Sequence, residues 1–171
     1  MHACLFVDLC ATLNPFFMCC HHTPTPTEEA LANDVRVAVC STSNERAVST
    51  IVRVLLGEDI AARMPVFAGD MVPKKKPAPD IYLLAAERLG VNPARCVVVE
   101  DSRIGLLAAK AAGMRCVVTT SSYTADEDFA LADAVFDCIG EENEARFSVG
   151  DLTTPGTPAC QTAVLKTHLL C

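Results

Sequence analysis

The sequence has no long apolar run, and it has few basic residues. None of its apolar stretches approaches the roughly 20 residues that a membrane-spanning helix needs, so we expect no transmembrane segment. Fourteen Lys and Arg residues against 21 Asp and Glu residues give a net charge of -7, which disfavours a basic surface for nucleic acid. A GxGxxG motif and a P-loop are also missing, which argues against a nucleotide-binding module.

The sequence also lacks the residue spacing of a zinc site. No CxxC pair occurs, and all the histidines lie in the terminal stretches: His2, His21, His22 and His168. Ten cysteines in a short chain are typical of a disulfide framework. Four of them, however, lie in or beside central apolar runs, and free cysteine buries readily as a small hydrophobe. We therefore predict that these four cysteines are core residues of a protein in a reducing compartment: Cys40, Cys96, Cys116 and Cys138.

The chain divides into three stretches within a length that suits one domain. Residues 1–33 contain no Lys, Arg or Ser, which is atypical of a transit or signal peptide. Within them, the two prolines of 21–29 indicate a linker. Residues 34–148 alternate strand and helix signals. Residues 149–171 are rich in Thr and small residues without a clear period, and we expect a loosely structured tail there.

The middle stretch predicts a parallel sheet covered by helices. Apolar, β-branched runs predict strands at 35–40, 65–68, 96–99, 115–118 and 134–136. Helical periodicity predicts helices between a Thr42–Glu45 capping box and Gly57, over 80–89 and over 102–112. Repeated βα units joined by right-handed crossovers give an α/β fold, a three-layer, doubly wound parallel sheet.

Polar side chains occur where such a sheet binds ligands, at the carboxyl ends of its strands. Ser41 and Thr42 follow the first strand at a helix N-terminus, a combination that binds phosphate oxygens. Lys76 supplies a positive charge on a loop that is stiffened by prolines. Glu100 and Asp101 are hard oxygen ligands, of the kind that hold Mg²⁺ together with a substrate phosphate. Together they predict a site for a phosphorylated ligand and a divalent metal.

Each of these segments alone has a simpler interpretation. Ser41 and Thr42 could only cap a helix, and the lysines at 74–76 could be a solvated face. Glu100 and Asp101 could simply favour the dipole of the helix that follows. The order and spacing of all three segments favour the ligand site.

The same three segments resemble motifs of the haloacid-dehalogenase-like hydrolases, and they occur in the order typical of that superfamily. VAVCSTSNE at 37–45 is similar to motif II, KKKPAPDIY at 74–82 to motif III, and VVVEDSRIG at 97–105 to motif IV. Within the superfamily, the sequence resembles the plant-type CbbY-like and β-phosphoglucomutase group. The resemblance covers about two thirds of the chain.

The resemblance implies a Rossmann-like core and a Mg²⁺-dependent phosphatase that acts on sugar phosphates or bisphosphates. It assigns phosphate binding to Ser41 and Thr42, and it makes Lys76 the lysine that steadies nucleophile and phosphate. It assigns magnesium to Asp101 and Glu100. Likeness to plant proteins implies a chloroplast, or otherwise the cytoplasm. We further expect a monomer with no nucleic-acid or membrane partner.

The nucleophile motif of the superfamily is not intact in this sequence. That motif is a strand ending in DxDx[TV], whose first Asp attacks phosphorus and whose second Asp is general acid and base. The nearest match, ACLFVDLCATL at 3–13, makes Asp8 the candidate nucleophile but has Cys10 in place of the second Asp. Either this is a degraded motif whose strand fills the centre of the sheet, or residues 1–33 are unrelated sequence on a truncated core. Composition favours the second alternative.

The helical cap that CbbY-like proteins insert between motifs I and II is also missing, because only residues 9–40 separate Asp8 from Ser41. We therefore expect the core without a cap domain, and weak or absent catalysis. The alternatives are a non-catalytic phosphate- or metal-binding remnant, an interaction protein, or an unrelated doubly wound domain. Phosphomutase chemistry would need the second Asp and the cap.

Overall fold

A parallel sheet forms the centre of the structure, a computed structural model that describes residues 4–7, 26–120 and 123–136. The strands in these residues are β1 (Cys4–Val7), β2 (Arg36–Cys40), β3 (Val66–Phe67), β4 (Cys96–Glu100), β5 (Arg115–Thr119) and β6 (Ala134–Phe136). Every neighbouring pair is parallel, and the order across the sheet is β3-β2-β1-β4-β5-β6. The predicted doubly wound parallel sheet is confirmed.

Four α-helices lie in the described residues, two on each face of the sheet. They are α1 (Pro26–Ala32), α2 (Glu45–Ala61), α3 (Asp80–Leu89) and α4 (Arg103–Ala111). Alternate residues of β2 face opposite layers: Val37 packs with α1 and α2, whereas Ala38 packs with α3 and α4. Because both faces are covered, β2 and β4 are apolar along almost their whole length.

The N-terminal strand β1 lies in the middle of the sheet. Phe6 pairs with Ala38 of β2 on one side and with Val98 of β4 on the other. This is the position that the first of the two alternatives for residues 1–33 requires. The boundaries predicted at 33/34 and 148/149, and the origin of the N-terminal stretch, stay predictions.

The connection from β1 to β2 is short, since it comprises only residues 8–35. Residues 26–35 of this connection, which the structure describes, hold one short helix and no inserted domain. The linker predicted at 21–29 is wrong in its second half, because α1 begins at Pro26. Ala30 and Leu31 of this helix are buried against the sheet, and this packing stabilises a helix in a segment that looks polar in sequence.

The helix after β2 begins one cap later than predicted and is followed by a further helical turn. Its N-cap is Asn44, whose side chain accepts a hydrogen bond from the Ala47 N–H at 2.9 Å, and not Thr42. The predicted break at Gly57 is confirmed, because this residue has a φ of 79° and a ψ of 163°, outside the helical region. A second helical turn then continues to Ala61. That turn persists because Ile60 and Ala61 pack against the core.

Other predicted elements agree closely with the structure. Helix α3 spans the predicted residues and ends at Gly90, which adopts the left-handed conformation at a φ of 63°. Cys40, Cys96 and Cys116 are buried free thiols, as expected of core residues, while Cys138 lies outside the described residues. Burial raises the pKa of the Cys116 thiol, which makes it unreactive. Within the described part of the chain, no helix is long and apolar enough to span a bilayer.

Candidate functional site

The candidate site lies at the carboxyl edge of the sheet, where β2 and β4 end on either side of β1. Ser41 follows the last residue of β2, and Asp101 follows Glu100, the last residue of β4. Lys76 reaches the same edge from the long loop between β3 and α3. The order of strands therefore brings together three segments that are far apart in sequence.

A buried ion pair joins the second and third segments. Lys76 Nζ lies 2.6 Å from Glu100 Oε1, and the side chains are 2% and 0% exposed. The same ammonium donates to the Cys40 carbonyl oxygen at 3.1 Å, which fixes it beside the end of β2. Charges are rarely buried to this degree unless they are paired, because the loss of hydration is expensive.

The Glu100 carboxylate has further partners that the sequence interpretation missed. The Tyr82 hydroxyl donates to Oε1, and the Ser102 hydroxyl donates to Oε2 at 3.3 Å. Ser102 also caps α4, since its Oγ accepts the Gly105 N–H at 3.2 Å. The signal for Tyr82 was its place in KPAPDIY, two residues after the start of α3. Nothing in that pattern indicates which acid it contacts.

The loop after β2 has the form of a phosphate-binding turn. Ser41 is buried, and its Oγ accepts the Ser43 N–H at 3.2 Å, so the hydroxyl hydrogen can donate to a ligand. Thr42 lies exposed on the same turn and makes no side-chain hydrogen bond within the described residues. Gly69 packs directly on this turn, since a Cβ there would lie 2.3 Å from the Thr42 carbonyl oxygen.

The start of α2 carries its own acidic partner. The Asp70 carboxylate accepts the Glu45 N–H at 3.2 Å, and Asn44 occupies the Ala47 N–H. Two of the amide groups at this helix N-terminus are therefore already used within the protein. A phosphate at this edge would depend on Ser41, the turn backbone and Lys76 more than on the first turn of α2.

The described residues offer two carboxylates for a metal at this edge. Asp101 is half-buried at the start of the turn into α4, next to the fully buried Glu100. No group of three or more His, Cys, Asp or Glu side chains with metal-binding geometry occurs among residues 4–7, 26–120 and 123–136. Two carboxylates with a substrate phosphate nevertheless suit Mg²⁺, which keeps several waters. The tentative nucleophile Asp8, and Cys10, lie outside the described residues.

Comparison with known proteins finds sequence and structural relatives of this chain. A sequence model described as a hydrolase, haloacid dehalogenase-like hydrolase, matches residues 25–113. The chain is 68% identical over 122 residues to the CBBY-like protein of Arabidopsis thaliana, a match that covers 71% of this chain and 38% of that protein. It is 32% identical over 134 residues to Protein SUPPRESSOR OF QUENCHING 1, chloroplastic, from the same plant, covering 77% of this chain and 12% of that protein.

Two solved structures of CbbY from Rhodobacter sphaeroides share the fold. One is in complex with phosphate, and the other, a mutant, is in complex with Xylulose-(1,5)bisphosphate. Each is 43% identical with a TM-score of 0.64, covering 67% of this chain and 52% of that chain. The chain thus spans about half the length of the CbbY structures and less of the two plant relatives.

Proposed function

This chain belongs to the haloacid dehalogenase-like hydrolases, and we propose that it binds phosphorylated sugars, sugar bisphosphates in particular, together with Mg²⁺. The complex of CbbY with a sugar bisphosphate supports this substrate class. We further propose that turnover by this chain is weak or absent. The two statements rest on different residues and are tested separately.

The buried Lys76–Glu100 pair is the observation that carries the proposal. A buried ion pair is weak evidence for stability, because the desolvation cost offsets much of the attraction. Its position supports a binding role, since the ammonium lies at the carboxyl edge beside the Cys40 carbonyl oxygen. In an open α/β sheet this is where ligands bind. An anionic phosphate bound there would interact with the Lys76 ammonium, which also pairs with Glu100.

The phosphate itself would contact residues of two loops. Ser41 would donate its hydroxyl hydrogen, and the backbone of Thr42 would face the same oxygens. Lys76 would supply the positive charge and a charge-assisted hydrogen bond, which is stronger than a neutral one. None of these groups needs a large movement, since Ser41 follows directly on the residue whose carbonyl Lys76 already contacts.

Mg²⁺ would be held by Asp101 and by Glu100. Oε1 of Glu100 already accepts hydrogen bonds from Lys76 and Tyr82, which limits the part that Glu100 can take in holding the ion. When bound, the ion neutralises negative charge on the phosphoryl oxygens. The carboxylates of this chain would place that charge at the same edge of the sheet as Ser41 and Lys76.

Weak turnover follows from the chemistry of the N-terminal motif. In the mechanism of the superfamily that the sequence resembles, a carboxylate oxygen forms a bond to phosphorus while the bond between phosphorus and the sugar oxygen breaks. In this chain, Asp8 would supply that carboxylate. The departing oxygen then needs a proton from a neighbouring acid. Cys10 stands where the acid belongs, and a thiol is only a weak hydrogen-bond donor to an oxygen atom, unlike a carboxylic acid.

Calorimetry on the purified chain tests the binding proposal. We expect inorganic phosphate to bind in the presence of Mg²⁺, and binding to be lost in Lys76→Ala and strongly weakened in Asp101→Asn. Lys75→Ala is the matched control, because it removes the same charge from an exposed neighbour on the same loop. Equal losses in both lysine variants, or no binding by the unmodified chain, would contradict the proposal.

A phosphate-release assay with xylulose-1,5-bisphosphate and Mg²⁺ tests the second statement. We expect no release above that of Asp8→Asn. Rapid release that Asp8→Asn abolishes would show an active enzyme, and it would leave the proposed substrate class intact. Binding of inorganic phosphate without release from any sugar phosphate would favour the non-catalytic remnant.

We also infer a plastid location from the likeness to the two plant proteins, one of which carries that location in its name. Expression of the gene product in leaf cells with a fluorescent protein at its C-terminus would test this. Signal confined to the cytoplasm would contradict it.

A further inference from the structure

Tyr82 contacts both Lys76 and Glu100 of the candidate site, and none of the roles assigned above includes it. It is fully buried on α3, beneath the carboxyl edge of the sheet. Its ring lies 6.1 Å from that of Phe6 on the central strand, with the two planes tilted by 47°. It is therefore held against β1 while its polar end reaches the end of β4.

The ring and the hydroxyl of Tyr82 contact opposite members of the buried ion pair. Lys76 Nζ lies 4.9 Å from the ring centroid, within the range of a cation–π contact. The hydroxyl donates to Oε1 of Glu100, the same oxygen that accepts from Lys76. One side chain thus contacts both the cation and the anion.

The opposite side of the carboxylate is closed by the first turn of α4. A Cβ atom at Gly105 would lie 1.9 Å from both Cδ and Oε2 of Glu100, so a side chain at that position would require a shift. Ser102 lies against the same oxygen. The carboxylate therefore has one position, between Tyr82 and the backbone of α4.

We propose that Tyr82 is a positioning residue, which holds Glu100 with its hydroxyl and Lys76 with its ring so that the ammonium stays directed at the bound phosphate. This inference rests on the proposed phosphate site. Its physical basis is a competition for Lys76. Because the Tyr82 hydroxyl also donates to Oε1 of Glu100, the carboxylate attracts the Lys76 ammonium less strongly. The ammonium can then interact more strongly with a phosphate.

Removing the hydroxyl alone should weaken phosphate binding. In Tyr82→Phe the ring stays, but Oε1 of Glu100 loses the hydroxyl donor, and the Lys76 ammonium is drawn more strongly toward the carboxylate. A hydrogen bond to a charged group justifies an expected loss of about tenfold in affinity for inorganic phosphate with Mg²⁺. Tyr82→Leu also removes the ring, and we expect a larger loss, which Phe partly rescues.

The two tyrosines of the chain allow a direct spectroscopic measurement. The sequence has no Trp and only two Tyr residues, Tyr82 and Tyr123. Tyr123 is 96% exposed, so Tyr123→Phe should bind phosphate like the unmodified chain. In that variant all tyrosine emission comes from Tyr82, and we expect it to change as inorganic phosphate is added. Unchanged emission at saturating phosphate would count against a contact between Tyr82 and the site.

A double-mutant cycle with Tyr82→Phe and Glu100→Gln tests whether the hydroxyl acts through the carboxylate. We expect strong coupling, so that the double variant binds inorganic phosphate no more weakly than the worse single variant. Fold-losses that simply multiply would overturn the positioning role. Unchanged affinity in Tyr82→Phe would overturn it too and leave the phosphate site standing, whereas no binding by the unmodified chain would remove both.

Discussion

The two edges of the sheet bury polar side chains of different kinds. At the amino edge, the thiols of Cys4 and Cys96 face each other across β1 and β4, and both are buried. Their mutual hydrogen bond, together with burial, raises the pKa of Cys4. At the carboxyl edge, the same depth of burial holds full charges on Lys76 and Glu100.

This difference separates packing from function. A neutral thiol behaves as a small hydrophobe, so the amino edge can bury two of them at little cost. Charges lose several kcal/mol of hydration each, and apolar residues of similar volume would often be as stable. The carboxyl edge keeps its charges at the proposed ligand site, and this position is what a role in binding requires.

The largest expected effect is the loss of one charge from the carboxyl edge. Lys76→Met leaves Glu100 buried without its cation and should lower the free energy of unfolding by about 3–5 kcal/mol. Urea denaturation followed by circular dichroism would measure this. Lys75→Met is the control and should change stability by less than about 0.5 kcal/mol, because that side chain is exposed. Equal losses of stability in the two variants would show that the buried charge of Lys76 matters no more than an exposed charge on the same loop.

A smaller effect is expected from filling the space beside Glu100. A Cβ atom at Gly105 would overlap the carboxylate, so Gly105→Ala should destabilise the protein by about 1–3 kcal/mol. The same denaturation measurement checks it. In an open helix this change would instead stabilise by about 1 kcal/mol, and that result would show that Glu100 can move away.

The amino edge should tolerate a comparable truncation better. Cys96→Ala removes a neutral group whose thiol donates to the Asn92 carbonyl oxygen at 3.3 Å. We expect the free energy of unfolding to fall by about 1 kcal/mol, because the substitution removes only one small buried group, the thiol. Thermal unfolding of this variant beside Lys76→Met would compare the two edges directly. A loss equal to that of Lys76→Met would indicate that the thiols matter as much as the charges.

A further expected effect is a pH dependence from Cys116. Burial, and then the negative charge of Glu100, raise the pKa of this thiol. Above about pH 8.5 the unfolded thiol ionises while the native one stays protonated, so stability falls as the pH rises. The fall in unfolding free energy between pH 8 and pH 10 should be smaller in Cys116→Ala. An identical fall in both proteins would show that this thiol does not contribute.

Much of the fold was predictable because the signals are local. Strand β2 is apolar throughout after Arg36, and α3 carries a helical period that ends at Gly90, so both were located from their own residues. The helix α1 was missed because its stability comes from Ala30 and Leu31 packing on the sheet and not from its polar sequence. The turn of α2 that follows Gly57 was missed for the same reason, since Ile60 and Ala61 pack against the core.

The sequence by itself determined which residues are candidates for the site: Ser41, Lys76, Glu100 and Asp101 were proposed because motifs are contiguous and strand ends can be recognised. Only the tertiary structure decided how these groups combine. It paired Lys76 with the Cys40 carbonyl, 36 residues away, and with Glu100, 24 residues away. It also placed Tyr82 and Gly105 around the carboxylate and β1 at the centre of the sheet. These contacts depend on strand order and side-chain packing, which join residues whose separation in the chain carries no signal.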